Sequence, residues 1–277
     1  MKRTLTTKEW NKQKLAERKL AKSLQVLTRQ VERITHKYDS IDQITAAISD
    51  ITRSSIWKKY ANLVASRMTE SITIRNTRTW KEAAMASQNG LKIYKSLKAA
   101  ISNNASFIKL MHNNAEYISG LPDDIAKHIT KHVSSVALQG ERAETLIPYL
   151  RRKAPELSEA RINLIARTET AKTQAGVTEI RSTQLGIDWY IWRTAGDQRV
   201  RSSHKHMEGV LCQYSSPPSP EILKGEPSVG CYGPGGIWNC RCYAEPLIDS
   251  DSLPHRLKVV QGGQIVRMTR KQLDGLI

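Results

Sequence analysis

The densest run of chemically capable side chains lies between Asp197 and Cys242. His204, Cys240 and Cys242 are nitrogen and sulfur donors of the kind that hold zinc, and Cys212 or Cys231 could supply a fourth ligand for a tetrahedral site. The spacing is unorthodox. In an ideal strand the two thiols of Cys240-Arg241-Cys242 share a face but stand about 7 Å apart, so they grip one ion only where the backbone bends. The same residues also make a purely structural knot. In it His204 hydrogen-bonds across a turn, Asp197 caps that turn and pairs with Arg199 or Arg241, and the cysteines pack as small hydrophobes. The first expectation is therefore structural, with no cofactor, and zinc is the second. A third chemistry would place a divalent ion on Asp197, His204 and His206, beside basic residues, as in a metal-dependent nuclease. Carboxylates are few there, His206 reads as a surface residue, and no HExxH, P-loop or Gly-x-Ser-x-Gly pattern occurs. The expectation is a protein that is not an enzyme.

These residues need elements to position them. Ser158 can cap a helix running to Leu185, with Gly186 closing it. Within it Arg167 and Glu169 are two apart, so they point different ways and each must reach a different neighbour. Residues 188–194 (DWYIWRT) are dense in aromatic and β-branched side chains and predict a strand, as do 208–214 and 242–248. Gly262-Gly263 between two β-rich runs predicts a hairpin over 257–268, and Thr269 with Gln272 predicts a capping box for a short helix after it.

The front half predicts long helices. Leu20, Leu24, Leu27, Val31, Ile34, Tyr38 and Ile41 recur at alternating steps of four and three, and Ile44, Ile48 and Ile51 resume after one skip. Such a stripe calls for a partner helix, either within the chain or by self-association through the 20–51 segment. Further helices are expected at 54–87 and 90–118, and from Leu121-Pro122-Asp123-Asp124 to Gly140. Arg151-Arg152-Lys153 lies between Pro148 and Pro155, which predicts an exposed linker.

An ordered set within the back half carries a resemblance. It comprises ARTET at 166–170, the aromatic strand ending in TAGD with Gln198, Arg199 and Val200, and His204-x-x-Met207-x-Gly209. Pro217-Pro218 and Asn239-Cys240-Arg241-Cys242 complete it. This arrangement resembles the Mu F-like minor head proteins of tailed double-stranded DNA bacteriophages and prophages, over about 158–248. The resemblance implies a head-morphogenesis component made in the host cytoplasm and carried into the virion, in the capsid interior or at the portal vertex. Portal, procapsid and packaged DNA are the implied partners. It also marks Arg167, Glu169, Asp197, Arg199, His204, Gly209, Asn239, Cys240, Arg241 and Cys242 as the constellation. Some relatives carry a Cys-x-x-Cys at the places of Arg201 and His204 and a His three residues before Cys240, which with that cysteine look like a metal knuckle, and here Arg201 and Ile237 stand at two of those four positions. Some relatives are fused to toxin domains, and the residues after 248 are too few to add one.

Charge agrees with a DNA-associated role. The chain has 277 residues with 43 Lys plus Arg against 26 Asp plus Glu, a formal +17. The excess is uneven: residues 1–157 hold 28 basic and 14 acidic side chains, and 158–277 hold 15 and 12. A polyanion is the natural partner of such a surface, through sequence-independent phosphate contact. Lys12, Lys14, Arg18, Lys19 and Lys22 are the candidates for touching DNA. No apolar run is long enough for a transmembrane helix, and the basic N-terminus has no apolar stretch of a secretory signal behind it, so no membrane partner is expected. A reducing compartment disfavours a Cys212–Cys231 disulfide. The predicted class is α+β, with a basic helical module over 1–157 and a small mixed domain over 158–277.

Overall fold

The computed structural model describes residues 14–86, 90, 93, 95, 104–139, 143–250 and 253–276. The described elements run α1 (Lys14–Lys37), α2 (Ile41–Asp50), a 3-10 turn (Ile51–Arg53), α3 (Ser55–Ala86), α4 (Ala105–Ser119), α5 (Leu121–Leu138) and α6 (Ala143–Gln184). Then follow β1 (Trp189–Arg193), α7 (Ser202–His206), β2 (Val210–Gln213), α8 (Pro220–Lys224), β3 (Tyr243–Pro246), β4 (Arg256–Gln261), β5 (Gln264–Thr269) and α9 (Arg270–Asp274). The class is α+β, as the pattern predicts. Two compact units result, one of residues 14–70 and 111–169, the other including 71–110 and 170–277. The division falls within α3, α4 and α6 rather than at residue 157.

In the helical unit, the apolar stripe of α1 is the seam. Leu24, Leu27 and Val31, and Ile44 and Ile48 on α2, are fully buried within the chain. The stripe is therefore covered without a second copy. It is not one continuous helix: α1 stops at Lys37 and α2 starts after Ser40. Thr35, not Ile34, takes the buried place at the end of α1, its hydroxyl bonded to the Glu32 carbonyl. Tyr60 of α3 donates to the Ser23 carbonyl at 2.7 Å, and Trp57 donates its indole N–H to the Ser119 carbonyl at 2.8 Å. α5 begins at Leu121 with Pro122 in its first turn. Its Asp123 accepts from Ser49 of α2, and its Asp124 accepts both Nε and Nη2 of Arg161 of α6. Gly140, the expected stop, lies outside the described residues, and α5 ends at Leu138.

α6 corrects the expected linker. Pro148 and Pro155 both lie inside this helix. Each proline deletes one main-chain hydrogen bond, but Leu150 and Ala154 are fully buried, as are Ser158 and Ile162, and that packing holds the helix through the gaps. Ser158 is not an N-cap; its hydroxyl donates to the Ala154 carbonyl one turn back. Arg151 does not sit in a loop either, since it donates Nε to the Thr35 carbonyl and pairs with Asp39 at 2.6 Å.

In the other unit, α6 ends where Gly186 turns left-handed (φ 74°) and delivers the chain into β1. The five-stranded sheet has the order β3-β1-β2-β4-β5. β1 is antiparallel to both β2 and β3, β2 is parallel to β4, and β4 and β5 form the Gly262-Gly263 hairpin. The side chains of β1 alternate between two cores, as the pleat requires. Tyr190 and Trp192 join Met207, Val210, Cys212, Ile237, Cys240, Cys242 and Ala244 in one cluster. Trp189 packs with Leu211, Leu257, Val259, Met268 and Leu273 in the other. The capping box holds: Thr269 accepts from the Gln272 N–H while its own N–H donates to the Gln272 side chain.

Candidate functional site

Three short segments build the site. Gly209, at φ 73°, lets the chain turn from α7 into β2 and donates its N–H to the Trp192 carbonyl at 2.9 Å. α7 is thereby held against β1, with His204 on its inner side and His206 exposed. The third segment, 233–242, folds back under β1. Gly235 at φ 89° approaches the Ala171 carbonyl and the Ala175 side chain of α6. Asn239, at φ 55°, then supplies the bend that an ideal strand lacks. Asparagine is among the residues that tolerate that left-handed conformation. As a result Cys240 and Cys242 turn their thiols to one point.

That point is the imidazole of His204. Its Nδ1 lies 3.5 Å from the Cys240 sulfur and 3.4 Å from the Cys242 sulfur. All three side chains are buried, and their donor atoms lie within 4.8 Å of one another. The remaining ring nitrogen, Nε2, is 3.0 Å from the Tyr232 hydroxyl. Tyr232 in turn donates to Glu221 Oε1 at 2.5 Å, which also accepts from Ser203 at 3.1 Å. Burial and the adjacent Glu221 carboxylate push the Tyr232 hydroxyl far up, so it keeps its proton and donates it. Since Tyr232 donates to Glu221, its oxygen accepts from His204 Nε2–H. Nε2 therefore carries the hydrogen of that bond, and Nδ1 faces the two sulfurs. The hydrogen bond from Cys242 pulls the Cys240 thiol down, and the same bond, with burial, pushes Cys242 up.

Around this centre lies an ion-pair knot. Arg241 grips both oxygens of Asp197, one contact measuring 2.7 Å, and Asp197 also accepts the Arg199 N–H at 3.0 Å. The Arg241 guanidinium first, then the Arg199 N–H, holds the Asp197 carboxyl below its usual range. Arg193 pairs with Glu245 at 2.5 Å, and Glu208 accepts the N–H and hydroxyl of Thr194.

The structure thus brings His204, Cys240 and Cys242 together. It ties Asp197, Arg199 and Arg241 to one another, and gives Gly209 and Asn239 the turns that aim the donors. Arg167 and Glu169 belong to the helical unit, where Arg167 pairs with Glu17 of α1 at 3.2 Å and Glu169 is buried. Asp197, His204 and His206 do not converge as a nuclease site would require: Asp197 is held by Arg241, His204 faces the thiols and His206 faces outward. Cys212 and Cys231 are free thiols, one buried and one exposed, and burial pushes Cys212 up to about 12. At the two knuckle positions, Arg201 donates to the Trp238 carbonyl and Ile237 packs in the core. Sequence reasoning missed Tyr232 and Glu221, which no spacing connects to His204. Of the DNA candidates, Lys12 lies outside the described residues, and Lys14, Arg18, Lys19 and Lys22 are exposed on α1.

A small mixed sheet backed by a long helix, with a buried His-Cys-Cys cluster against its strand β1, defines the class of domain. Residues 124–245 match the family described as Phage Mu protein F like protein, a likeness that covers the C-terminal part of the helical unit and most of the sheet domain. A Haemophilus influenzae protein, described as an uncharacterized protein, is 24% identical over 188 residues, covering 68% of this chain. The alignment spans 38% of that relative's length. No solved structure matches. Among the described residues, no helix is long and apolar enough to cross a membrane.

Proposed function

We propose that this chain is a non-enzymatic head-morphogenesis component of a tailed double-stranded DNA phage or prophage. It is assembled with portal and procapsid in the host cytoplasm, is retained in the virion, and contacts packaged DNA through α1. The Mu F-like match supports the first part. The DNA contact rests on one observation: the outer face of α1 is a cationic stripe. Lys14, Arg18, Lys22, Arg29 and Arg33 are all exposed. At 100° per residue they fall within an arc of about 100°, opposite the seam of Leu20, Leu24, Leu27 and Val31. The stripe is about 28 Å long, the rise of roughly eight base pairs. Two of its members, Arg29 and Arg33, lie beyond the residues picked out from sequence. Their signal was there: the same four-residue step that marks the seam, displaced by half a turn.

Five cations set along a straight helix, with only Gln25 among them as an amide, suit phosphates rather than base edges. If the five cations each meet a phosphate, log affinity for random duplex DNA should fall with log salt at a slope of about −4 to −5. The triple variant Arg18→Ala, Lys22→Ala, Arg29→Ala should lower that slope by nearly three and weaken all sequences alike. Fluorescence anisotropy with a short random duplex at several salt concentrations measures both. An affinity indifferent to salt, or a variant that binds normally, would sink the DNA-contacting role of α1. Plasmid incubated with the protein and magnesium or manganese should stay intact, and cleavage lost in His204→Ala would instead favour the nuclease reading.

A further inference from the structure

We propose that His204, Cys240 and Cys242 hold one zinc ion, with Tyr232 and Glu221 as the positioning pair behind the histidine. Three independent features of the cluster converge on this. The first is distance. With Zn–N near 2.0–2.1 Å and Zn–S near 2.3 Å, a tetrahedral centre separates nitrogen from sulfur by about 3.6 Å. The His204 Nδ1 to sulfur distances of 3.5 and 3.4 Å are already at that separation. An ion fits after small side-chain adjustments, with no rearrangement of backbone.

The second feature is the tautomer. A ligating imidazole almost always donates its other N–H to a carboxylate, carbonyl or water, which orients the ring and raises its basicity. Here Nε2–H reaches the Glu221 carboxylate through the Tyr232 hydroxyl, and Nδ1 is the ring nitrogen that faces the two sulfurs. A histidine serving only as core filler has no need of that relay.

The third is charge. Glu221 is 6% exposed, and its Oε2 has no hydrogen-bond partner among the described residues. A buried carboxylate with an orphaned oxygen calls for positive charge nearby. A divalent ion on two thiolates supplies it, and the Tyr232 hydroxyl carries the polarisation between them. Three protein donors leave one coordination position, which water fills. Zinc suits two thiolates and an imidazole better than magnesium or calcium, which prefer oxygen. Each thiol releases its proton to solvent as the ion binds.

The test uses the full chain, purified without chelator and then exposed to zinc alone, with metal read by mass spectrometry. One zinc per chain is expected. Cobalt in its place should give the near-ultraviolet bands of thiolate-to-metal charge transfer, which report sulfur ligation directly in the unaltered protein. Cys240→Ser and Cys242→Ser should each abolish those bands, while Cys231→Ser keeps them. Tyr232→Phe should retain the metal but bind it at least about 10-fold more weakly in competition with a chromophoric chelator, the usual effect of losing an outer-shell partner. A protein that takes up no zinc, that accepts copper(I) but excludes zinc, or that carries a Cys240–Cys242 disulfide when purified from a reducing cytoplasm would overturn the site. Unchanged affinity in Tyr232→Phe would overturn the positioning role.

Discussion

Trp192→Ala should lower the unfolding free energy by about 4 kcal/mol, within the range for truncating a fully buried aromatic side chain. Trp192 has no exposed surface and sits on β1, the strand flanked by β2 and β3. Its ring meets His204 edge-on at 5.4 Å between centroids and Tyr232 at 6.4 Å. Removing it leaves a void beside the imidazole that the strand cannot close, because its neighbours are fixed by register: Trp192 faces Ala244, and Tyr190 faces Cys212. The urea midpoint, followed by circular dichroism, measures the loss. A loss below about 1 kcal/mol would mean that the cluster around Trp192 collapses freely and is not a close-packed core.

The second large effect concerns Gly235→Val. At φ 89° a β-branched side chain is strained wherever it points. In addition, a Cβ there would stand 3.1 Å from the Ala171 carbonyl oxygen and 3.1 Å from the Ala175 Cβ. Both are on α6, and one of them is backbone, so neither contact is relieved by a rotamer change. A cost of about 3 kcal/mol is expected, combining backbone strain with overpacking. The segment that carries Cys240 and Cys242 should lift from α6, and those two thiols should react faster with iodoacetamide. Gly209→Ala provides the comparison. Its φ is 73° but nothing lies within 4 Å of its would-be Cβ, so only the conformational share remains, about 1 kcal/mol. Equal costs for the two variants would refute the close approach of residues 233–242 to α6.

Local signals carried most of the fold. The hairpin at Gly262-Gly263, the capping box at Thr269, the proline start of α5 and the aromatic strand β1 each depend on neighbours in sequence, and each is where the spacing predicts it. The failures share a cause. Pro148 and Pro155 favour a break locally, and burial of Leu150, Ala154 and Ile162 overrides them. The stripe from Leu20 to Ile51 reads as one helix, but the chain turns at Asp39 and Ser40, where Arg151, remote in sequence, holds the corner. The candidate site was half legible. His204, Cys240 and Cys242 could be named from their chemistry, yet an ideal strand keeps those thiols apart, and only the left-handed Asn239 brings them together. Tyr232 and Glu221 had no signal at all, because their link to His204 exists only after α7 and α8 have packed.

The parallel pairing of β2 with β4 has a consequence for how this protein is made. β2 is a short strand, Val210–Gln213, and one of its edges is covered only by residues 256–261. Those residues follow the family-matched segment, which stops at residue 245. A ribosome adding about 5–20 residues per second takes roughly 2–10 s to cover the intervening stretch. Throughout that interval the nascent sheet presents an unpaired strand edge, with Val210 and Leu211 lacking their final cover. The chain therefore emerges with an open strand edge and seals it late, which gives the growing polypeptide a need for a chaperone that this edge no longer creates once β4 has paired.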